Sequence, residues 1–249
     1  MQVKGRKIMI DNKKVLGIIP ARGGSKRIPK KNLKAISGKP MILYTIEAAK
    51  ECKYIDKVIV STDDEEIAAI SMKAGAVVPF RRPEELSGDG ARLIDVLLHA
   101  VEFYEHKGER YDIIVLLLPS SPLRTGEDIQ RSLDFFLKNG ERSVVSISAV
   151  SEHPVLVRQF EDKNKLVRLL DQDTAANRLK GKRFYKVNGA IYINRALEID
   201  EHTNLDNNEL GYVLPKDRGL NIQEPEDVVV ADFYVSKSCD AEYLSFIVY

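Results

Sequence analysis

The stretch VLGIIPARGGSKRIPKKN, residues 15–32, carries the strongest structural signal of the chain. Its apolar, β-branched beginning predicts a buried strand from Val15 to Pro20. The chain then enters a loop that contains Gly23 and Gly24. Adjacent glycines let a backbone approach a ligand closely, and the N–H groups of such a turn form a concavity that suits anions. The pattern therefore predicts an anion-binding loop after the first strand.

The charge of this loop supports the same interpretation. Five cationic side chains lie within ten residues, at Arg22, Lys26, Arg27, Lys30 and Lys31. They would repel one another unless a negative group lay among them, and a nucleoside triphosphate, with about four negative charges, meets that demand. A solvated basic loop and a nucleic-acid patch are the alternatives. The spacing matches neither the Walker loop nor the dinucleotide fingerprint, so we interpret it as a phosphate loop of a third kind.

Composition restricts the classes of function. The 249 residues are enough for one large domain with a small appendage, and 38 Lys and Arg against 37 Asp and Glu leave a net charge of +1. The positive charge of the loop is therefore local, which favours a small anionic ligand over nucleic acid or a membrane surface. Two distant cysteines, Cys52 and Cys239, and no long apolar run predict a cytoplasmic protein without a zinc site.

Strands and helices alternate from residue 15 to about 150. The predicted strands are Val15–Pro20, Lys57–Ser61, Ala76–Phe80, Ile113–Pro119 and Ser143–Val150. The predicted helices are Met41–Cys52, Glu65–Lys73, Leu93–Tyr104 and Glu127–Lys138. This alternation predicts an α/β fold with a mostly parallel sheet between two helical layers. Ligands of such sheets bind beyond the carboxyl ends of the strands, where the glycine-containing loop lies.

The pattern changes after residue 150. Leu156–Phe160 and Lys165–Leu170 predict a hairpin, Gly189–Asn194 a strand, and Glu224–Val235 a helix. We predict one domain over residues 1–249, with 151–186 as a projecting arm. Such an arm serves either in dimerisation or as a lid.

Six segments in order resemble the acylneuraminate cytidylyltransferases, which join CMP to sialic acid and related nine-carbon sugar acids. They are IIPARGGSKRIPKKN (18–32), GKPMILYTIEAA (38–49), VIVSTDDEEIA (58–68), RRPEEL (81–86), LLLPSSPLRT (116–125) and VNGAIYIN (187–194). The resemblance covers nearly the whole chain. It implies a nucleotidyltransferase fold, CTP as donor, a sugar-acid acceptor, dependence on Mg²⁺, and a homodimer.

The resemblance also implies roles for residues of the first loop. The triphosphate would be held by Ala21, Arg22, Gly23, Gly24, Ser25 and Lys26. Lys31 and Asn32 would lie beside the reacting phosphate. Arg22, Lys26 and Lys31 are the catalytic candidates, because transfer of a phosphoryl group requires neutralisation of charge.

Further substrate contacts are expected in three other segments. Arg82 would lie near the base and ribose, unless it forms a surface ion pair with Glu84 or Glu85. Ser120 and Ser121 either bind substrate oxygens or cap the turn before Pro122.

Lys186 and Asn188 correspond to a strip that lines the substrate site in the family. Lys186 stands where some relatives have arginine, so it keeps the charge and loses the two-pronged geometry. Asn188 can both donate and accept hydrogen bonds, which suits recognition of a sugar or a base.

The chain departs from the family pattern at the position of the metal ligands. Relatives have D-I-D-x-P-x-D near the C-terminus, where the leading aspartates bind Mg²⁺; here Asn221 and Gln223 replace both. Neutral amides attract a hard dication far less strongly, so triphosphate oxygens and water would carry most of the coordination. Leu118 and Leu93 replace a glutamine and a serine, which indicates a less hydroxylated acceptor or weaker binding of the nucleotide.

We therefore predict that the anomeric hydroxyl of a 3-deoxy-2-ulosonic acid attacks the α-phosphorus of CTP, with release of pyrophosphate. A second hypothesis keeps the reaction and changes the acceptor to an eight-carbon ulosonic acid, a legionaminic-type or pseudaminic-type sugar, or a phosphonate. A third is a nucleotide-binding homologue with little catalysis.

Overall fold

The computed structural model describes residues 10, 12–152, 154–169 and 183–237. The strands, in chain order, are β1 (Val15–Pro20), β2 (Ala35–Ile36), β3 (Lys39–Pro40), β4 (Lys57–Ser61), β5 (Ile113–Leu116), β6 (Val144–Ala149), β7 (Arg158–Asp162), β8 (Lys165–Arg168), β9 (Tyr185–Arg195) and β10 (Leu210–Val213). The helices are α1 (Met41–Glu51), α2 (Glu65–Lys73), α3 (Leu93–His106), α4 (Gly126–Lys138) and α5 (Pro225–Lys237).

A mixed sheet in the order β10-β6-β9-β5-β1-β4 organises this part of the chain. β1 pairs in parallel with both β4 and β5, whereas β9 runs antiparallel between β5 and β6. The predicted α/β class with a mostly parallel sheet is confirmed. The first strand is central because its residues are apolar on both sides: Val15 and Ile19 face one core, and Leu16 and Ile18 face the other.

Helices cover both faces of the sheet and produce three layers. α1, α2 and α4 place Ile46, Ile67 and Phe136 in the first core. α3 places Leu97 in the second core, on the opposite face. The start of α4 is fixed by a reciprocal capping box, in which Thr125 Oγ1 accepts from the Asp128 N–H at 3.1 Å and Asp128 Oδ2 accepts from the Thr125 N–H at 3.0 Å.

Several predicted elements differ from the structure, most of them by one or two residues at an end. The predicted strand Ala76–Phe80 is wrong: beyond β4 the chain pairs only at isolated bridges, such as the one between Val77 and Ile59. An apolar valine in this segment predicts a buried strand, but Val77 is exposed at this edge of the sheet. β5 ends at Leu116 rather than Pro119, and β9 begins at Tyr185, four residues before the predicted start. β10 was not predicted, because its short segment alternates between half-buried and exposed residues.

The predicted hairpin is confirmed as β7 and β8, which pair antiparallel in a sheet of their own. Every residue of the two strands is exposed except Val167, which is half-buried. Residues 153 and 170–182 of the predicted arm lie outside the described residues. In the described ranges, no helix combines the length and the apolar character needed to cross a membrane.

Gly126 provides a test of the packing between α1 and α4. A Cβ at this position would lie 2.5 Å from Glu51 Cβ and 2.9 Å from the Ala48 carbonyl oxygen. We expect Gly126→Ala to lower the free energy of unfolding by about 1–3 kcal/mol in a denaturant titration, because the backbone oxygen must move. Gly90→Ala is the matched control, since no described atom lies within 4 Å of the methyl group that alanine would add there. Equal effects of the two substitutions would contradict this account of the helix contact.

Candidate active site

The carboxyl ends of β1, β4 and β5 meet at one edge of the sheet, because these strands run parallel. The loops that follow them carry the predicted site residues. A first cavity of about 260 Å³ lies at this edge, and its lining includes Arg22, Lys31, Asn32, Arg82 and Ser120. Five predicted residues therefore line the same cavity, although up to 98 positions separate them in sequence. Leu93 and Leu118, which replace polar residues of relatives, also line this cavity.

Two of the five cations of the first loop, Arg22 and Lys26, are held by one carboxylate. Arg22 donates from Nη1 to the Gly88 carbonyl at 2.8 Å and forms an ion pair from Nη2 to Asp89 at 2.9 Å. Lys26 pairs with the other oxygen of Asp89. The hydrogen bond from Lys26, together with the charge of Arg22, holds the pKa of Asp89 below its ordinary value. Asp89 thus provides an internal anion for two of the three catalytic candidates.

The backbone of the loop is less open than the sequence suggested. Gly23 donates its N–H to Asp63 at 3.0 Å, and a Cβ at Gly23 would lie 2.7 Å from an oxygen of Asp64. Glycine is therefore required there by packing against the loop after β4. Ala21 is fully buried and donates its N–H to the Ser61 carbonyl at 2.9 Å. Gly24 has open space around it, so it is the loop position that a ligand can approach.

Lys31 and Asn32 form the short turn at the end of the loop. Asn32 is buried and donates from Nδ2 to the Arg22 carbonyl at 2.8 Å, which fixes the backbone beneath the first cavity. Lys31 donates to the Ile222 carbonyl at 3.1 Å. Burial, followed by the charges of Arg22 and Arg27, lowers the pKa of Lys31. Within the described ranges Lys31 forms no ion pair, and the charges of Asp227 and Glu224 oppose the lowering of its pKa without outweighing burial.

Arg82 is buried, with 5% of its surface exposed. Its guanidinium donates to Ser61 Oγ at 3.0 Å and also to the Ser61 carbonyl, so the alternative of a surface ion pair with Glu84 or Glu85 does not hold. Burial lowers the pKa of Arg82 to about 10. A guanidinium fixed in this way presents a pre-oriented donor to a ligand in the first cavity.

The two serines after β5 have different positions. Ser120 lines the first cavity, and its carbonyl accepts from the Ile222 N–H at 2.7 Å. Ser121 is fully buried, and among the described residues its hydroxyl has no hydrogen-bond partner. The buried guanidinium of Arg124 donates to the carbonyls of Leu118 and Ser121, which holds this loop in shape.

A second cavity of about 490 Å³ contains the remaining predicted residues, Lys186, Asn188, Asn221 and Gln223. Lys186 is exposed on its wall. The side chain of Asn188 is buried instead and bonded within the protein. Its Oδ1 accepts from Ser146 Oγ at 2.5 Å and its Nδ2 donates to Ser148 Oγ at 2.8 Å. Asn188 therefore shapes the cavity wall.

The predicted metal position contains no pair of carboxylates. Asn221 donates from Nδ2 to the Asn188 carbonyl at 3.1 Å. Asp227 accepts the N–H groups of Gln223 and Glu224 at 2.8 and 2.9 Å, and Glu224 pairs with Arg27 at 3.2 Å. In the part of the chain that the structure describes, no three His, Cys, Asp or Glu side chains are grouped to hold a metal ion. These residues do not form an acidic cage for a dication.

Residues 214–223, named here the strap, line the second cavity and contact two residues of the first. At its end, Ile222 donates to the Ser120 carbonyl and accepts from Lys31 Nζ. The strap also contributes Lys216, Asn221 and Gln223 to the second cavity. Sequence reasoning missed Asp89 and Lys216. Asp89 lies in the sequence LSGDG, whose turn-forming residues gave no sign of a contact with the first loop.

Solved structures with similar architecture establish the class of the fold. CMP:2-keto-3-deoxy-manno-octonic acid synthetase, solved in complex with CTP, superposes with a TM-score of 0.65 at 21% identity, over 90% of this chain and 99% of that one. A 4-diphosphocytidyl-2C-methyl-D-erythritol synthase gives 0.63 at 13% identity, over 90% and 98%. The fold is that of a nucleotidyltransferase.

Sequence relatives define the family within that class. Residues 16–210 match the family described as cytidylyltransferase. CMP-N,N'-diacetyllegionaminic acid synthase of Legionella pneumophila is 35% identical over 76% of this chain and 81% of its own length. Pseudaminic acid cytidylyltransferase of Campylobacter jejuni is 31% identical over 88% and 94%. N-acylneuraminate cytidylyltransferase of Streptococcus agalactiae is 35% identical over 87% of this chain, which spans about half, 52%, of that relative. The chain belongs to the cytidylyltransferase family.

The Asp89 contact generates a test of the first loop. An anionic ligand on Arg22 and Lys26 must displace this carboxylate, so Asp89→Asn is expected to tighten CTP binding about two- to fivefold at low salt, as for loss of an exposed ion pair. Calorimetric titration with CTP measures the change. Asp217→Asn is the control, because it removes one negative charge outside the first cavity. A weaker or unchanged affinity in Asp89→Asn would show that the two cations do not receive the triphosphate.

Proposed function

We propose that the protein transfers CMP from CTP to a sialic-acid-like, nine-carbon sugar acid and releases pyrophosphate. One observation carries the proposal: Lys31 lines the first cavity, half-buried and without an ion pair among the described residues, and it donates to Ile222, whose neighbours Asn221 and Gln223 line the second cavity. A cation in that position suits a phosphate that reacts with a second substrate next to it. The names of the relatives support the nature of the acceptor, since they act on legionaminic, neuraminic and pseudaminic acids.

In this proposal the first cavity holds CTP and the second holds the acceptor. The anomeric hydroxyl attacks the α-phosphorus and releases its proton to solvent as a new P–O bond forms. The bond to the bridging oxygen of the β-phosphate breaks, so that pyrophosphate leaves with the electron pair. Arg22 and Lys26 neutralise the triphosphate, and Lys31 stabilises charge at the reacting phosphate. Gly24 and Ser25 lie along the path of the phosphates. Arg82 and Ser120 orient the nucleoside.

A divalent cation, Mg²⁺ in the expected case, is proposed to enter with CTP. Phosphate oxygens and water supply most ligands of Mg²⁺ in many nucleotide sites. Asn221 and Gln223 offer only neutral amide oxygens, so the chain's own contribution to binding the ion is weak. The same two residues favour the second candidate function, a homologue that binds CTP with little turnover. An eight-carbon or phosphonate acceptor is the remaining alternative.

A homodimer is part of the proposal and rests on the hairpin of β7 and β8. Phe160 and Leu166 are 68% and 57% exposed on strands that form a two-stranded sheet of their own. Apolar side chains grouped on a projecting hairpin are typical of an interface. A lid over the protein's own site is the alternative use of the same hairpin.

The function is tested by pyrophosphate release from CTP with a panel of nine-carbon and eight-carbon sugar acids, with and without Mg²⁺. We expect release with a nine-carbon acid, dependent on Mg²⁺ and faster with CTP than with ATP, GTP or UTP. Calorimetric CTP binding without release for any acceptor would favour the binding homologue. Release only with the eight-carbon acid would replace the proposed acceptor.

Lys31→Ala is expected to lower kcat about 10²- to 10³-fold, as for loss of one charge contact to a transition state in a desolvated site. Lys31→Arg should keep part of the activity, because it keeps the charge. Lys34→Ala is the control, since Lys34 is exposed three residues away and lines neither cavity. Circular dichroism verifies that each variant folds. A wild-type rate in Lys31→Ala would remove this residue from the mechanism.

Phe160→Asp is expected to convert a dimer into a monomer in light scattering, because a charge replaces an apolar contact. Leu197→Asp is the control, as Leu197 is 90% exposed and lies outside the hairpin. A wild-type monomer would exclude the dimer. A Phe160→Asp variant that stays dimeric while its KM for the acceptor rises would favour the lid.

A further inference from the structure

One buried carboxylate connects helix α4 to the strap. The side chain of Asp128 is buried, and its two oxygens have different partners. Oδ2 accepts from the Thr125 N–H and from the Thr125 hydroxyl, each at 3.0 Å, and so caps α4. Oδ1 forms an ion pair with Arg218 Nη1 at 3.0 Å. Because one oxygen is bonded to the helix end, the other holds the strap at a fixed distance from it.

The same end of α4 also holds the loop after β5. Arg124, the residue before the helix cap, is buried and donates from Nη1 to the Leu118 carbonyl at 2.9 Å and to the Ser121 carbonyl. Ser120 lies between these two residues, and its carbonyl accepts the Ile222 N–H at 2.7 Å. The end of α4 therefore fixes the acceptor of this hydrogen bond as well as the strap that carries its donor.

A short hydrogen-bonded turn connects the ion pair to the Lys31 side chain. Arg218 lies four residues before Ile222 on the strap, and the Leu220 N–H donates to the Asp217 carbonyl at 3.0 Å between them. The Ile222 carbonyl in turn accepts from Lys31 Nζ at 3.1 Å. A shift of Arg218 would therefore move Ile222, and with it the oxygen that orients the Lys31 ammonium.

We propose that the ion pair between Arg218 and Asp128 positions Lys31 for catalysis through the strap. In the part of the chain that the structure describes, Arg218 and Asp128 line neither the first nor the second cavity, so both are positioning residues. Loss of the arginine would leave the carboxylate buried without its cation, a costly state that separation of the strap from α4 would relieve. This inference rests on the proposed function and adds to it a requirement that lies outside the cavities.

The test measures pyrophosphate release from CTP with the panel acid that the wild type uses fastest. We expect Arg218→Met to lower kcat about tenfold, because a small displacement of a charged group from the reacting phosphate has a large effect on rate. The KM for CTP should stay constant, since Arg218 does not line the first cavity. Arg218→Lys keeps the charge and should restore part of kcat. Arg142→Met is the control and should keep the wild-type kcat, because it removes an exposed ion pair, to Glu209.

Two further measurements connect the rate to the ion pair itself. In Asp128→Asn an oxygen remains to cap α4 and the negative charge is lost, so adding Arg218→Met should cause little further loss of kcat. Hydrogen exchange of the Ile222 amide, followed by NMR, should be faster in Arg218→Met than in the wild type and unchanged in Arg142→Met. This exchange reports on the strap without requiring turnover.

The possible outcomes separate this inference from the function on which it rests. A wild-type kcat in Arg218→Met, additive losses in the double variant, or an unchanged Ile222 exchange rate would each overturn the positioning role and leave the cytidylyl transfer in place. An equal loss of kcat in Arg142→Met would assign the effect to general destabilisation and would also overturn it. Absence of pyrophosphate release by the wild type with every acceptor would overturn the proposed function and this inference together.

Discussion

Two hydrogen bonds to Ile222 hold the two halves of the site together. Its N–H reaches the loop after β5 at Ser120, and its carbonyl reaches the loop after β1 through Lys31. The three segments are far apart in sequence, and each belongs to a different part of the sheet. If the strap moved away, the second cavity would lose one wall, and the Lys31 side chain would lose its hydrogen bond to Ile222.

The junction also concentrates positive charge in a region of reduced solvation. Arg82 and Lys31 both have lowered pKa values, with burial as the largest cause in each case. Buried cations usually have a carboxylate partner, because desolvation of a charge is expensive. Here Asp89 pairs with the outer cations, Arg22 and Lys26. The inner cations, which form no ion pair within the described ranges, favour any anion that fits the first cavity, and this is the property required of a site that binds triphosphate.

Much of this arrangement follows from sequence. The apolar run of β1 and the adjacent glycines specified the strand, the loop and its position at the carboxyl edge, since few other folds use that pattern. Periodicity located α1 to α4 to within two residues, because each buries a regular face. The family resemblance, rather than periodicity, predicted that Arg82 lies near the nucleotide; the structure shows that Arg82 lines the first cavity, bonds to Ser61 and is buried.

The sequence did not predict contacts between distant segments, because no sequence pattern links one partner to the other. Asn188 could in principle bind a substrate through its amide. In the structure this amide is hydrogen-bonded to Ser146 and Ser148 of β6, so Asn188 forms part of the cavity wall. Asp89 and Lys216 lie in polar loops, where a charged residue is usually solvated and carries no signal. Ala76–Phe80 has the composition of a strand and lies at an edge where pairing stops. The role of each of these residues depends on the segment that it contacts, and that segment is distant in sequence.

The wall that the strap contributes to the second cavity is closely packed. Gly219 packs so closely that a Cβ there would lie 2.0 Å from Ser148 Oγ and 2.6 Å from Asn188 Nδ2. Arg218, the preceding residue, pairs at 3.0 Å with the buried carboxylate of Asp128, which also caps α4. The strap is therefore fixed to the sheet on one side and to a helix terminus on the other. A wall held in this way discriminates acceptors by shape and donor position, since it cannot adapt to a poorer fit. Relatives of this family act on different sugar acids, and changes confined to exposed residues of the second cavity, such as Lys186, would leave the junction at Ile222 in place.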